Sequence, residues 1–196
     1  MKGVFIDTET GGLDSNVHAL TQVAAIAFEV KPGEEAEILE VFQIFVEPSK
    51  WLAVCPGALD LQQAKLETLL KVGKKEATVY TELVQFLNNY IGPSAEWGGH
   101  IWAQDAAFDH SFLRALEKRV GNGSNCFTDR CDWNCTKRLW TLLRFLGVHN
   151  EAKTSLKNIA SYYQMDEQVH DATEDALLSL GALSFMLTDL AKCLQR

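Results

Sequence analysis

Asp7 and Glu9 lie two residues apart where an apolar run ends, so on an extended chain both carboxylates point to one face. Two carboxylates held that close repel each other unless a cation sits between them. A solvated strand end is the ordinary alternative. Here Val4, Phe5 and Ile6 mark a strand heading for a buried sheet centre, where uncompensated carboxylates are costly, and this favours a metal-binding reading.

Asp109 belongs to the run Gln104-Asp105-Ala106-Ala107-Phe108-Asp109-His110-Ser111-Phe112-Leu113. Asp105 suits a helix N-cap, and Phe108, Phe112, Leu113 and Leu116 form a buried stripe, which puts Asp109 in the first turn beside the core-facing row. An acid there also serves the helix dipole. In His170-Asp171-Ala172-Thr173-Glu174-Asp175, Asp171 and Glu174 have capping-box spacing and a structural job at a helix start. Asp175 has no such job, and His170 lies just outside on the entering loop. Each cluster alone has an ordinary structural reading.

Positioning these groups requires a sheet and several helix starts. Val4–Ile6 leads into the Gly11-Gly12 turn, and two further strands are expected near Gln22–Val30 and Glu37–Val46, joined by Lys31-Pro32-Gly33-Glu34. From Ala58 to Tyr90 the pattern is helical, with Tyr80, Leu83, Val84 and Leu87 at helix spacing, until Gly92-Pro93. A polar loop over Gly92–His100 precedes a short strand at His100–Ala103 and a helix at Ala106–Val120. A strand near Cys126–Arg130 and helices at Trp133–Leu146, Ser155–Tyr163 and Ala172–Leu194 complete the reading. Three strands followed by alternating elements predict an α/β fold, a mixed sheet flanked by helices, and a single domain over residues 1–196.

Composition narrows the class. Of 196 residues, 47% are hydrophobic and 22% charged, as in a globular protein that folds without staples. The net charge of −8 argues against a broad basic surface coating a duplex, though not against gripping the last nucleotides of a strand. No apolar run approaches the roughly 20 residues that span a bilayer, and MKGVFIDTET is acidic where a signal peptide would continue apolar. An intracellular, cytoplasmic setting without membrane contact is expected. Five scattered cysteines read as reduced thiols.

Taken together and in order, Asp-x-Glu in a first strand, Ala-Ala-Phe-Asp before a Phe-Leu helix and His-x4-Asp in a last helix resemble the DEDDh family of 3′→5′ exonucleases. This is the proofreading-subunit-like branch of the ribonuclease H-like fold, whose sheet is mixed and mostly five-stranded. The resemblance covers nearly the whole chain, including Ser155-Leu156-Lys157-Asn158-Ile159-Ala160. It implies that Asp7, Glu9, Asp109 and Asp175 ligate two divalent ions, Mg²⁺ or Mn²⁺, and that His170 is the general base. Hard cations of this kind prefer oxygen ligands, and a pair of them can stabilise both the attacking and the leaving oxygen of an in-line displacement. A histidine five residues before the aspartate separates this branch from the one with tyrosine four before it. Position 105, commonly asparagine in the family, is Asp105 here and adds a negative charge near the metals.

The implied partner is a nucleic acid, DNA or RNA, with a free and single-stranded 3′ end, and a polymerase or other protein is a candidate second partner. The oligomeric state is left open. Leu13 is placed to meet the terminal base or to pack under its turn, and the backbone amides of Thr8 and Thr10 to meet the terminal sugar. Lys137, Arg138 and Arg144, or Lys71, Lys74 and Lys75, are candidates for the phosphate backbone, with a solvated face as the alternative. Cys126, Cys131, Cys135 and His149 lack a paired Cys-x2-Cys knuckle, which favours buried thiols over zinc. Among Trp51, Trp97, Trp102, Trp133 and Trp140, Trp102 and Trp140 read as core and Trp97 as the best contact for a substrate or partner. Two rival functions keep the fold: a phosphodiesterase for short or cyclic oligonucleotides, and a non-catalytic module that binds nucleic acid or a partner.

Overall fold

A computed structural model describes residues 1–91, 100–121, 132–165 and 168–195. Strands β1 (Lys2–Thr10), β2 (Leu20–Glu29) and β3 (Glu37–Phe45) form the antiparallel meander expected from the Lys31–Glu34 turn. Strands β4 (His100–Ala103) and β5 (Asp132–Cys135) add parallel to β1, so the sheet is mixed and five-stranded, in the order β3-β2-β1-β4-β5. The helices are α1 (Pro56–Leu61), α2 (Leu66–Val72), α3 (Glu76–Ile91), α4 (Ala106–Val120), α5 (Thr136–Phe145), α6 (Leu156–Tyr162) and α7 (Ala172–Leu194).

The period of two along β1 separates two cores. Val4 and Ile6 join Leu83, Leu87, Phe112 and Leu116 on the side of α3 and α4. Phe5 joins Ile26, Phe28, Ala176, Leu180 and Leu183 on the side of α7. A third cluster around fully buried Trp140 links α5, α6 and α7. By length and composition α7 could cross a membrane. Its apolar character is accounted for by packing, since Ala176, Leu180 and Leu183 lie buried against the sheet.

Two expectations need correction. The helical stretch from Ala58 to Tyr90 is three helices, interrupted at Gln63 (φ 51°) and again at Gly73. The second break follows from a close approach, because the chain pairs Val46 with Lys74 and a Cβ on Gly73 would lie 2.5 Å from Glu47 N. The helix expected from Trp133 begins at Thr136, because residues 132–135 form β5 and pair in register with all four residues of β4. Ladder bonds to β4 therefore override local helix propensity. The strand expected near Cys126–Arg130 and the loop over residues 92–99 lie outside the described residues.

Candidate metal centre

The acidic groups meet where β1 ends. Asp7 and Glu9 share the face of Phe5, toward α7, whereas Thr8 between them shares the face of Val4 and Ile6. Thr8 Oγ1 donates to Asp109 Oδ1 on α4 at 2.8 Å. Helix α7 brings Asp175 from the other side, and the donor atoms of Glu9, His170 and Asp175 lie within 4.8 Å of one another. Three motifs separated by more than 60 residues thus converge on one point.

Asp109 and Asp175 are each only 3% exposed. Asp175 Oδ2 accepts from Gln168 Nε2 at 2.7 Å, while Oδ1 is buried with no hydrogen-bond partner among the described residues. His170 adopts a left-handed backbone (φ 57°) and is half-exposed, with Nδ1 4.0 Å from Asp175 Oδ2. Histidine is one of the residues that enter this conformation more readily than most, and from the loop before α7 its imidazole reaches the cluster.

Crowding and burial oppose ionisation. Burial is the largest influence on Asp7, followed by the charges of Asp109, Glu9 and Asp175, and its carboxyl is pushed well above the usual range. Burial and then the charges of Asp175, Asp171 and Asp109 raise Glu9 to about 8. Burial raises Asp109 to about 7, and the Thr8 hydroxyl partly offsets this by favouring the ionised form. A set of oxygen donors that ionises reluctantly on its own, and leaves one buried acceptor unmatched, fits a divalent cation such as Mg²⁺ or Mn²⁺.

Supporting residues absent from the motif reading complete the site. Gln22 on β2 donates to Asp171 Oδ2 at 2.8 Å and accepts from Ala172 N at 3.3 Å, docking the start of α7 on the sheet. Asp171 also caps α7 through Thr173 N and Glu174 N, as its spacing predicts. Gln62 donates to Thr10 O at 2.7 Å and holds the end of β1. A glutamine inside the largely apolar β2 was the one visible signal for Gln22; Gln168 and Gln62 carried none.

Asp105 occupies the N-cap position of α4 but makes no side-chain cap bond. Its carboxylate instead meets Lys137 Nζ at 2.6 Å, and its charge adds to the rise of Asp109. Lys74 and Lys75 are tied to Glu82 and Glu47, and Lys137 is likewise paired, with Asp105 at the N-cap position of α4. Leu13 is 87% exposed, which removes the alternative of packing under its turn. His149 stacks on Trp140 at 3.5 Å, and Cys135 Sγ donates to Gln104 O, so these two serve separate packing roles. Cys126, Cys131 and Trp97 lie outside the described residues. Trp102 packs half-buried on the second core.

A five-stranded mixed sheet carrying this ordered set of acids and a histidine defines a ribonuclease H-like fold of the DEDDh exonuclease type. The family model described as exonuclease matches residues 4–183, and the chain belongs to that family. It is 26% identical over 117 residues to ribonuclease T of Blochmanniella pennsylvanica, covering 60% of this chain and 54% of the relative. It is 27% identical over 124 residues to ribonuclease T of Haemophilus influenzae, covering 63% and 54%. The chain thus spans about half the length of the curated relatives it matches. Among solved structures, E. coli exonuclease I in complex with a dT13 oligonucleotide superposes with a TM-score of 0.78 at 15% identity, over 99% of this chain and 42% of that one. A zinc-bound exonuclease I complex with single-stranded DNA gives 0.81 at 16%, with the same coverage. These structures share the fold.

Proposed function

We propose that this chain is a single-domain 3′→5′ exonuclease that releases nucleoside 5′-monophosphates from the 3′ end of a nucleic acid. The observation that carries the reading is the convergence of Asp7, Glu9, Asp109 and Asp175, close enough for their charges to act on one another, with Oδ1 of Asp175 buried and unmatched among the described residues. These four carboxylates would hold two Mg²⁺ or Mn²⁺ ions. Bound there, the ions supply charge stabilisation to the attacking and leaving oxygens of the terminal phosphodiester.

The remaining work falls to the protein. His170, half-exposed at the mouth of the cluster, takes the proton of the attacking water, and Gln168 Nε2, 3.5 Å from its Nδ1, borders the ring. Leu13 offers an exposed apolar surface to the terminal base, and the backbone of Thr8 and Thr10 borders the terminal sugar. The exonuclease I complexes with single-stranded DNA favour a single-stranded end as substrate, and the relatives named ribonuclease T keep RNA among the candidates.

The test is a comparison of 5′-labelled single-stranded DNA, duplex DNA, RNA, a dinucleotide and a cyclic dinucleotide in Mn²⁺. A descending ladder from the single strands, abolished by a bulky 3′ block, is the expected result. Labelled mononucleotide released at once would indicate attack from the 5′ end. Hydrolysis confined to the dinucleotide or the cyclic substrate would replace the exonuclease reading with that of a small-oligonucleotide phosphodiesterase.

A further inference from the structure

The turn that follows Glu9 is clamped to a second loop. Gly11 N–H donates to Ala19 O at 2.7 Å, Cys55 N–H to Gly11 O at 2.7 Å and Ala53 N–H to Val17 O at 2.8 Å. The contact is so close that a Cβ on Gly11 would lie 2.8 Å from Ala53 O and 2.9 Å from Val54 Cα. Backbone hydrogen bonds therefore hold the loop of residues 49–55 beside the acidic end of β1.

Two large apolar side chains stand out from these joined loops, Leu13 and, at 91% exposure, Trp51. Leu13 is two residues from Gly11 and Trp51 two from Ala53, so each lies within about 7 Å of chain from the clamp. Trp51 borders a cleft of about 310 Å³ together with Pro48, Ser49 and Lys50. An indole carried on a pinned loop without burying itself gains nothing for the free protein, since tryptophan is ordinarily highly buried. Beside it, Lys50 has no ion-pair partner among the described residues, while Lys75 across the cleft is neutralised by Glu47.

We propose that Trp51 is a stacking platform for a base upstream of the terminal nucleotide of a single strand, with Lys50 against the adjoining phosphate. This rests on the exonuclease reading and assigns that site a second nucleotide contact. A chain of net charge −8 has little general attraction for a polyanion, so affinity for the strand has to come from stacking and from a few placed cations. Stacking suits a processing enzyme because every base presents a π face, and the strand can step through without sequence preference.

The test uses the full chain, Trp51→Ala, Trp51→Phe and Lys50→Ala, with fluorescein-labelled dT12 and the p-nitrophenyl ester of thymidine 5′-monophosphate, which supplies a terminal nucleotide alone. With Ca²⁺ replacing Mg²⁺ to stop turnover, Trp51→Ala should bind dT12 about 5- to 100-fold more weakly and Trp51→Phe should recover most of the loss. In Mg²⁺ the KM for dT12 should rise by a similar factor while hydrolysis of the p-nitrophenyl ester, which has no upstream base, is unchanged. Lys50→Ala should reduce the slope of log affinity against log salt by about 0.7. Unchanged dT12 binding by Trp51→Ala would overturn the platform, as would an equal loss on the p-nitrophenyl ester, which would mean an effect on the acidic site itself. A wild-type chain that hydrolyses nothing, yet binds dT12 in a Trp51-dependent way, would remove the exonuclease reading and leave the platform standing.

Discussion

Thr8 Oγ1 donates a 2.8 Å hydrogen bond to Asp109 Oδ1, joining the central strand to the first turn of α4. Because β1 alternates faces, Thr8 reaches α4 while its neighbours Asp7 and Glu9 face α7. The bond orients a buried carboxylate and favours its ionised form. Thr8→Val keeps the shape and removes the donor. Its Mn²⁺ affinity by calorimetry should fall about tenfold, and its stability by about 1–3 kcal/mol, the cost of leaving a buried acceptor unmatched. Wild-type affinity in Thr8→Val would show that the hydroxyl does not tune Asp109.

The raised carboxyls make the metal-free protein less stable as pH rises. Glu9 at about 8 and Asp109 at about 7 keep protons that the unfolded chain has already released near pH 4, so folding takes up protons across that window. Stability associated with these groups is present in acid and lost as pH climbs through about 7 to 8. In EDTA, the melting temperature should therefore be lower at pH 8.5 than at pH 6, and Mn²⁺ should restore it at pH 8.5.

Asp7→Asn should abolish hydrolysis while relieving the same repulsion. In EDTA at pH 8.5 it should melt about 2–6 °C above wild type, with a smaller gain at pH 6. Wild-type turnover by Asp7→Asn in Mg²⁺ would remove Asp7 from the proposed site.

His170 and Asp175 lie within one cluster but are assigned different work. His170→Ala should lower turnover by about 10²–10⁴ and leave most Mn²⁺ binding in place. Asp175→Ala should lose both turnover and metal affinity. If His170→Ala bound Mn²⁺ as poorly as Asp175→Ala, the imidazole would be a ligand, a role its donor-atom distances also permit.

Gly73→Ala tests the break between α2 and α3. The added methyl would meet Glu47 N, Leu69 O and Val46 C at 2.5–2.6 Å, all backbone atoms that cannot swing aside. A loss of about 1–3 kcal/mol in chemical denaturation is expected, and wild-type stability would show that the strand extension at Val46 yields easily.

Much of this arrangement is local and was therefore legible in sequence. The two-residue period of β1 places Asp7 and Glu9 together, Asp171 caps α7 through its own next residues, and α4 and α7 run over the ranges their apolar stripes predict. Such features depend on neighbours within a few positions. The order of the three motifs also identified the family, because several weak local patterns in one sequence order are far more specific than any one of them.

What only the tertiary structure decided depends on residues distant along the chain. Thr8 meets Asp109, Gln22 meets Asp171, and Gln168 occupies one oxygen of Asp175 while burial leaves the other unmatched. Asp105 abandons its cap for Lys137, and residues 132–135 become a strand because β4 offers an open ladder. A side chain's partner and its ionisation are set by what folding brings within a few ångströms and by how much water it excludes, and residue order along the chain encodes neither directly.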